Sequence, residues 1–270
     1  WLTSDKIQGA RQASDEVKPP TQATTITQEF IEVPVVTYSE MTDSVPALRY
    51  TYTLHYPTIA LSGHPNHAKA TNDIIKTFIL DKLEDFRNNL EPDTDVPGSA
   101  DATSDFTLRG TPTLLSPTIV SLRFDSAEYI SGSAHSNHQT HVLIYDMERG
   151  STLSTEELFA STTLALPTLS TIARRELRAR FSDMPATEFA NATTEGSAPL
   201  LENYGAVALS REGLTIIFDP YQVAAYARGS QEILVPLTEI KNELSPRVLE
   251  ALRMAETQFR EATTAEFGGI

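Results

Sequence analysis

Tyr129 to Phe159 runs YISGSAHSNHQTHVLIYDMERGSTLSTEELF. Ser131-Gly132-Ser133-Ala134 is a run of small residues suited to a turn between strands, and Val142 to Tyr145 returns as a strand. Glu148-Arg149-Gly150 turns the chain again. Ser154 then caps a helical start while Glu157, three residues later, reaches back to it, the pattern of a capping box. Three of the chain's six histidines, His135, His138 and His141, lie here at steps of three. Strand residues three apart point to opposite faces, so the trio does not ligate one metal from a regular strand.

Upstream, Phe30 to Val36 is an apolar run interrupted by Pro34, which predicts an edge strand or a bulge. Leu48, Tyr50, Tyr52, Leu54 and Tyr56 alternate with Arg49, Thr51, Thr53 and His55, predicting a half-buried strand with His55 on its solvated face. Asn66 to Leu90 carries Ile75, Ile79, Leu83 and Phe86 at helical spacing, started by Pro65 and stopped by Pro92. His64 and His67 flank that start without a third metal ligand nearby. Residues 91–102 have loop composition, and short strands are expected at Phe106–Leu108 and Thr118–Phe124.

Downstream, a helix is expected from about Leu166 to Phe181, its Arg174, Arg175, Arg178 and Arg180 forming a solvated basic face. Tyr204–Leu209 and Leu214–Phe218 are expected strands joined by the turn Ser210-Arg211-Glu212-Gly213. Asp219-Pro220-Tyr221 breaks the second of them, Ile233–Val235 is a last strand, and Ser245-Pro246 opens a terminal helix. Strands and helices mix without regular alternation. The fold class is therefore α+β, a mostly antiparallel sheet with helices packed on it, in two sequential subdomains. The expected division is a linker or stalk over 1–25, subdomains over 26–125 and 126–242, and a helical extension over 243–270.

The chain's 270 residues suffice for a large core, and a net charge of -15 argues against a nucleic-acid partner while favouring a basic one. With no cysteine, thiolate catalysis and thiolate metal sites are excluded. No apolar run is long enough for a membrane span, so membrane attachment is expected only through an anchor ahead of Trp1.

Ser131 or Ser133 beside His135, with Asp146 downstream, has the parts of a nucleophilic triad but lacks a strained elbow between strand and helix. Phosphate loops, nucleotide fingerprints and metalloprotease helices are missing from the sequence. No catalytic residue, metal or cofactor is assigned. Candidate binding residues are Ser131, Gly132, Ser133 and His135 in the first turn, with Asp219, Tyr221 and Tyr226 in the later strand break.

Several spaced motifs carry a resemblance. Gly132-x-Ala134-His135, Tyr145-Asp146 with Gly150, and Glu157-Leu158-Phe159 resemble the C-terminal domain of the lysozyme-sensing anti-sigma-V factor family. Leu209-Ser210-x-Glu212-Gly213-Leu214, Phe218-Asp219-Pro220-Tyr221 and Val235-Pro236-Leu237 continue the likeness. Tyr52-Thr53-Leu54-x-Tyr56-Pro57 is similar to the companion N-terminal domain, also found ahead of the catalytic part of some peptidoglycan deacetylases. The resemblance implies an extracytoplasmic bacterial domain, membrane-anchored or lipoprotein-like, that binds a basic protein such as lysozyme or a peptidoglycan ligand. The expected function is thus non-enzymatic binding in the cell envelope. The alternatives are an enzyme on cell-wall glycan using His135 and a nearby carboxylate as acid and base, or a structural envelope protein.

Overall fold

The histidine-bearing hairpin sits near the middle of a six-stranded sheet. A computed structural model describes residues 34–90 and 103–267, with side chains as far as residue 260. All of these fall in one compact unit, Ile31–Ile270. The expected stalk, the first residues of the Phe30–Val36 run and the loop at 91–102 lie outside the described residues.

Strands β1 (Val35–Val45) and β2 (Tyr50–Ala60) lead into helix α1 (Pro65–Asn88), followed by β3 (Ser104–Leu115), β4 (Ile119–Tyr129), β5 (Asn137–Asp146) and the short β6 (Ser151–Thr152). They lie in chain order in one sheet. Every neighbouring pair is antiparallel except β2 and β3. A parallel pair needs a crossover, and α1 lies in that connection. The Asn72 side chain fixes the crossover by donating to the Ile59 carbonyl and accepting from its N–H, both at 2.8 Å.

Helix α2 (Thr162–Arg180) and α3 (Ala186–Thr193) precede β7 (Val207–Ser210), β8 (Gly213–Phe218) and β9 (Gln231–Pro236), with α4 (Leu237–Ile240) and α5 (Pro246–Phe267) closing the chain. The three later strands form a second, antiparallel sheet. The fold is α+β, as expected, with two sheets.

Strand alternation divides the interior in two. On β4 and β5, Val120, Leu122, Phe124, Leu143 and Tyr145 join α1 residues Ile75, Ile79 and Phe86 in one core. Ile119 and Ile144 point the other way, into a core with Leu169 and Leu177 of α2, Leu209, Ile216 and Val235 of the second sheet, and Leu252 of α5. Each such side chain, fully buried, contributes about 1.5–3 kcal/mol against the unfolded chain. The boundary expected between residues 125 and 126 lies inside β4.

Several expectations are corrected. Strand β3 is far longer than Phe106–Leu108, because a register shift between Pro112 and Leu114 lets it absorb the proline. Gly110 is needed there, since a Cβ would stand 2.5 Å from the Phe124 ring. Tyr204 is not in a strand; it ends a 3-10 turn, Leu201–Tyr204, with its ring fully buried and its hydroxyl donating to the Ser197 carbonyl at 3.0 Å. Helix α2 begins a turn earlier than expected and carries Pro167 inside it, which leaves one backbone carbonyl of the first turn without its intrahelical donor.

The arginines of α2 are exposed, Arg174 half-buried, and each is also bonded to another part of the chain. Arg174 donates to Ser197 Oγ at 3.0 Å and Arg178 to the Met184 carbonyl at 2.9 Å. Arg175 makes a two-bond pair with Glu239 at 2.8 and 3.1 Å, and Arg180 donates to the Glu232 carbonyl at 2.8 Å. They are staples between elements. His55 is also not simply solvated: its ring stacks on Tyr38 at 4.9 Å, and its buried Nδ1 finds no hydrogen-bond partner.

Candidate functional site

Two of the sequence's candidate regions meet at the turn end of the β4–β5 hairpin, where the loop between β8 and β9 folds over it. The loop starts with Asp219, whose Oδ1 accepts the Thr140 N–H of β5 at 2.9 Å. Tyr221 follows at φ 72° with its ring 68% exposed. A left-handed conformation costs a non-glycine residue about 1 kcal/mol, so the fold holds an exposed aromatic ring in a strained position. Tyr226 then stacks on His135 at 4.3 Å between ring centroids and lies 5.4 Å from the Tyr221 ring. Its hydroxyl donates to the Ser136 carbonyl at 2.7 Å, and His135 Nδ1 lies 3.0 Å from the same oxygen. A carbonyl only accepts, so His135 carries its hydrogen on Nδ1 and leaves Nε2 free to accept.

Between these walls lies a groove of about 430 Å³, lined among others by Asp125, His138, Gln139, Thr140, Tyr226 and Ser230. Asp125 and Thr140 are directly opposite in the β4–β5 register, and Thr140 Oγ1 donates to Asp125 Oδ1 at 2.9 Å. Arg123 donates to the same Asp125 oxygen at 2.9 Å and pairs with Glu232 of β9 at 2.8 Å. Burial pushes the Asp219 carboxyl above its ordinary range and the like charge of Asp125 adds to this, while the Thr140 N–H and Arg123 pull the other way.

His141, one residue past Thr140, faces the opposite side. Its Nε2 is 3.3 Å from Ser126 Oγ, and its ring meets Phe78 of α1 edge-on. Burial, with Lys82 beside it, pushes its pKa down to about 4, against the weaker pull of Asp85 and Asp125. His138 and His141 therefore serve different faces, as strand alternation dictates.

The first-turn serines lie apart from the groove lining. Ser131 N–H donates to Ser104 Oγ at 3.0 Å, and Ser133 N–H closes the turn on the Ile130 carbonyl at 2.9 Å. Gly132 sits between them at φ 91°, exposed, a backbone requirement of the turn. The proposed triad parts do not meet. Asp146 closes the far end of β5, about 30 Å along the strand from its start. There it is fully buried and held by Arg247 of α5. Both guanidinium Nε and Nη2 bond its carboxylate, and Oδ1 also accepts the N–H groups of Glu148 at 3.0 Å and Arg149 at 2.8 Å. At α1, His64 and His67 stack on each other at 5.4 Å. Among the described residues no three metal-capable side chains cluster.

Of the residues singled out in the sequence, the fold brings His135, Asp219, Tyr221 and Tyr226 together. Asp125 and Thr140, which line the groove, were not among them. The available signal was the hairpin itself: folding at Ser131–Ala134 puts Asp125 level with Thr140.

Fold and groove define a two-sheet α+β scaffold with one open groove among its described residues, and comparison with known proteins gives it relatives. Residues 156–238 match a family described as a protein of unknown function, DUF3298. That stretch contains Asp219, Tyr221 and Tyr226, but not the β4–β5 half of the groove. Peptidoglycan-N-acetylmuramic acid deacetylase PdaC of Bacillus subtilis (strain 168) is 30% identical over 131 residues. The match takes in 48% of this chain and 27% of that protein, so the chain spans only part of its relative's length. These matches bear out the resemblance to domains found ahead of the catalytic part of peptidoglycan deacetylases.

Two solved structures share the fold. A DUF3298 family member from Bacteroides fragilis NCTC 9343 aligns with a TM-score of 0.57 at 14% identity, covering 82% of this chain and 97% of that one. A DUF3298 family protein from Pseudomonas aeruginosa PAO1 aligns with a TM-score of 0.53, also at 14% identity, covering 80% and 95%.

Proposed function

We propose that this chain is a non-enzymatic extracytoplasmic domain that holds a glycan strand of the cell wall in the groove between the β4–β5 hairpin and the β8–β9 loop. One observation carries the reading: Tyr226, stacked on His135 and hydrogen-bonded to the Ser136 carbonyl, lines a solvent-open groove together with Asp125 and Thr140. A sugar ring presents a C–H face that packs on aromatic side chains and hydroxyls that bond to carboxylates, so both halves of the groove suit it. The match to a peptidoglycan deacetylase supports the cell envelope as its setting. The anchor ahead of Trp1 that the resemblance implies belongs to the same reading; no described helix is long and apolar enough to cross a membrane.

Binding is favoured over turnover because one atom of each candidate acid–base group is already held inside the protein. Asp125 Oδ1 takes bonds from both Arg123 and Thr140, and His135 Nδ1 is spent on the Ser136 carbonyl. A general acid and base need their proton-transferring atoms aimed at the substrate. A second reading, capture of a basic protein such as lysozyme, draws on the charge of -15.

Calorimetric titration separates them. Oligomers of N-acetylglucosamine and soluble peptidoglycan fragments are expected to bind wild type, with affinity lost in Tyr226→Ala. Lysozyme bound equally by wild type and Tyr226→Ala, with no glycan binding, would replace the glycan reading with the protein one. Release of acetate or reducing ends from the fragments by wild type, abolished in His135→Ala, would establish the enzyme instead.

A further inference from the structure

The groove's charge is one-sided. Among the described residues that line it, Asp125 is the single formally charged side chain, and no lysine or arginine is with it. Its Oδ1 is occupied by Arg123 and Thr140, while Oδ2 has no hydrogen-bond partner among the described residues. Nor does Arg123 neutralise the site, because the same guanidinium also pairs with Glu232 at 2.8 Å. A third carboxylate, Asp219, stands behind Thr140, close enough to Asp125 for the two charges to oppose each other. One guanidinium thus faces three carboxylates. The nearest other arginines are engaged elsewhere, Arg180 on Gln231 and the Glu232 carbonyl, Arg228 on Asp183. An open carboxylate oxygen beside stacked aromatic rings is the combination that receives an ammonium group, through charge and through the ring faces.

We propose that the groove selects amino sugars whose nitrogen is free over those whose nitrogen is acetylated: its ligand is a glycan carrying an ammonium group set against Asp125. This rests on the glycan reading above and adds the identity of the recognised group. An N-acetyl nitrogen is uncharged and brings a methyl-bearing acyl group towards a carboxylate, leaving the negative cluster uncompensated. A free amine compensates it and still leaves the ring to pack on Tyr226. Asp125 and Tyr226 are the recognising residues, His135 stacks on Tyr226, and Asp219 and Glu232 supply the surrounding field.

The test is a parallel titration of the full chain with oligomers of glucosamine and of N-acetylglucosamine of equal length, at a pH where the amines are protonated. Glucosamine oligomers are expected to bind about tenfold more tightly. That preference should shrink as salt is added, since it is electrostatic. Asp125→Asn keeps an acceptor for Thr140 and leaves Arg123 its Glu232 partner, so it is expected to fold and to bring the ratio of affinities close to one. Free lysine offers an ammonium without the ring and is expected not to compete.

Equal binding of the two oligomers, or tighter binding of the acetylated one, overturns the inference while leaving the glycan reading in place. So does a tenfold preference that survives in Asp125→Asn. Competition by lysine overturns the assignment of the ammonium to a sugar. Binding of neither oligomer removes the glycan reading and the inference together.

Discussion

A carboxylate lies towards each end of the β4–β5 hairpin, and the two are treated in opposite ways. At the end away from the turn Asp146 is fully buried, yet both its oxygens are bonded by Arg247 and it accepts two backbone N–H groups besides. Burial pushes its pKa up, but the Arg247 bonds and the Arg149 N–H outweigh this and hold it below the ordinary carboxylate range. Towards the turn, Asp219 of the β8–β9 loop has one backbone donor and a like-charged neighbour, and its pKa is raised. A carboxylate supplied with donors ties α5 to the sheet, whereas one left short of them contributes field to a groove.

The sharpest way to break the contrast is Arg247→Ala, which strands a buried charge. A fully buried pair loses about 3–5 kcal/mol in this way. Arg247 is 34% exposed, so solvent screens part of the effect and about 2–3 kcal/mol is expected in a denaturant titration. Removing the Tyr226 ring at the turn end should act on binding rather than folding. Tyr226→Ala is expected to weaken glycan affinity about tenfold or more, with a small change in unfolding midpoint.

The pH dependence of stability distinguishes the groups by sign. Neutral His141 is preferred in the folded state, so its contribution is complete above its ordinary value of 6.5 and is lost as pH falls toward about 4. In His141→Gln, stability measured across that window should be flatter than in wild type. Asp146 adds a loss at lower pH, below its ordinary 3.8. Asp219 works in reverse: its folded form holds the proton more tightly, so its contribution falls as pH rises above 3.8. Asp219→Asn keeps an acceptor for Thr140 and should raise the neutral-pH unfolding midpoint, an effect that acidification below that value removes. The smallest effect is expected from Arg175→Ala on the exposed face of α2, where the Glu239 pair is solvated and the midpoint should stay within measurement scatter.

What was legible in the sequence was what neighbours along the chain decide. The stripe of Ile75, Ile79, Leu83 and Phe86 announced α1, and Ser154 with Glu157 announced the capping box. That box forms as expected, Glu157 Oε2 accepting the Ser154 N–H at 3.0 Å. The turn before Gly213 likewise joined β7 to β8 as expected. The groove was only half legible. Aromatic and small residues marked its two loops, but the Tyr226 to Ser136 bond spans 90 positions and the Thr140 to Asp219 bond 79. Asp146 and Arg247 are 101 apart, so the carboxylate that looked like chemistry gave no sign of its partner. The parallel β2–β3 pairing was hidden for the same reason: periodicity reports which face a residue takes, not which strand lies beside it.

Ser121 of β4 is a buried hydroxyl that receives the Thr113 hydroxyl of β3 at 2.8 Å and the Leu209 N–H of β7 at 3.1 Å. One oxygen atom is therefore common property of both sheets, and it works as a locating pin. The second sheet finds its acceptor only after β3 and β4 have paired in the correct register. A slip of one residue would turn the serine to the α1 side and leave a buried amide unanswered. Assembly of the halves is thus conditional rather than independent, and they should melt as a single event, with backbone and aromatic circular-dichroism signals falling together.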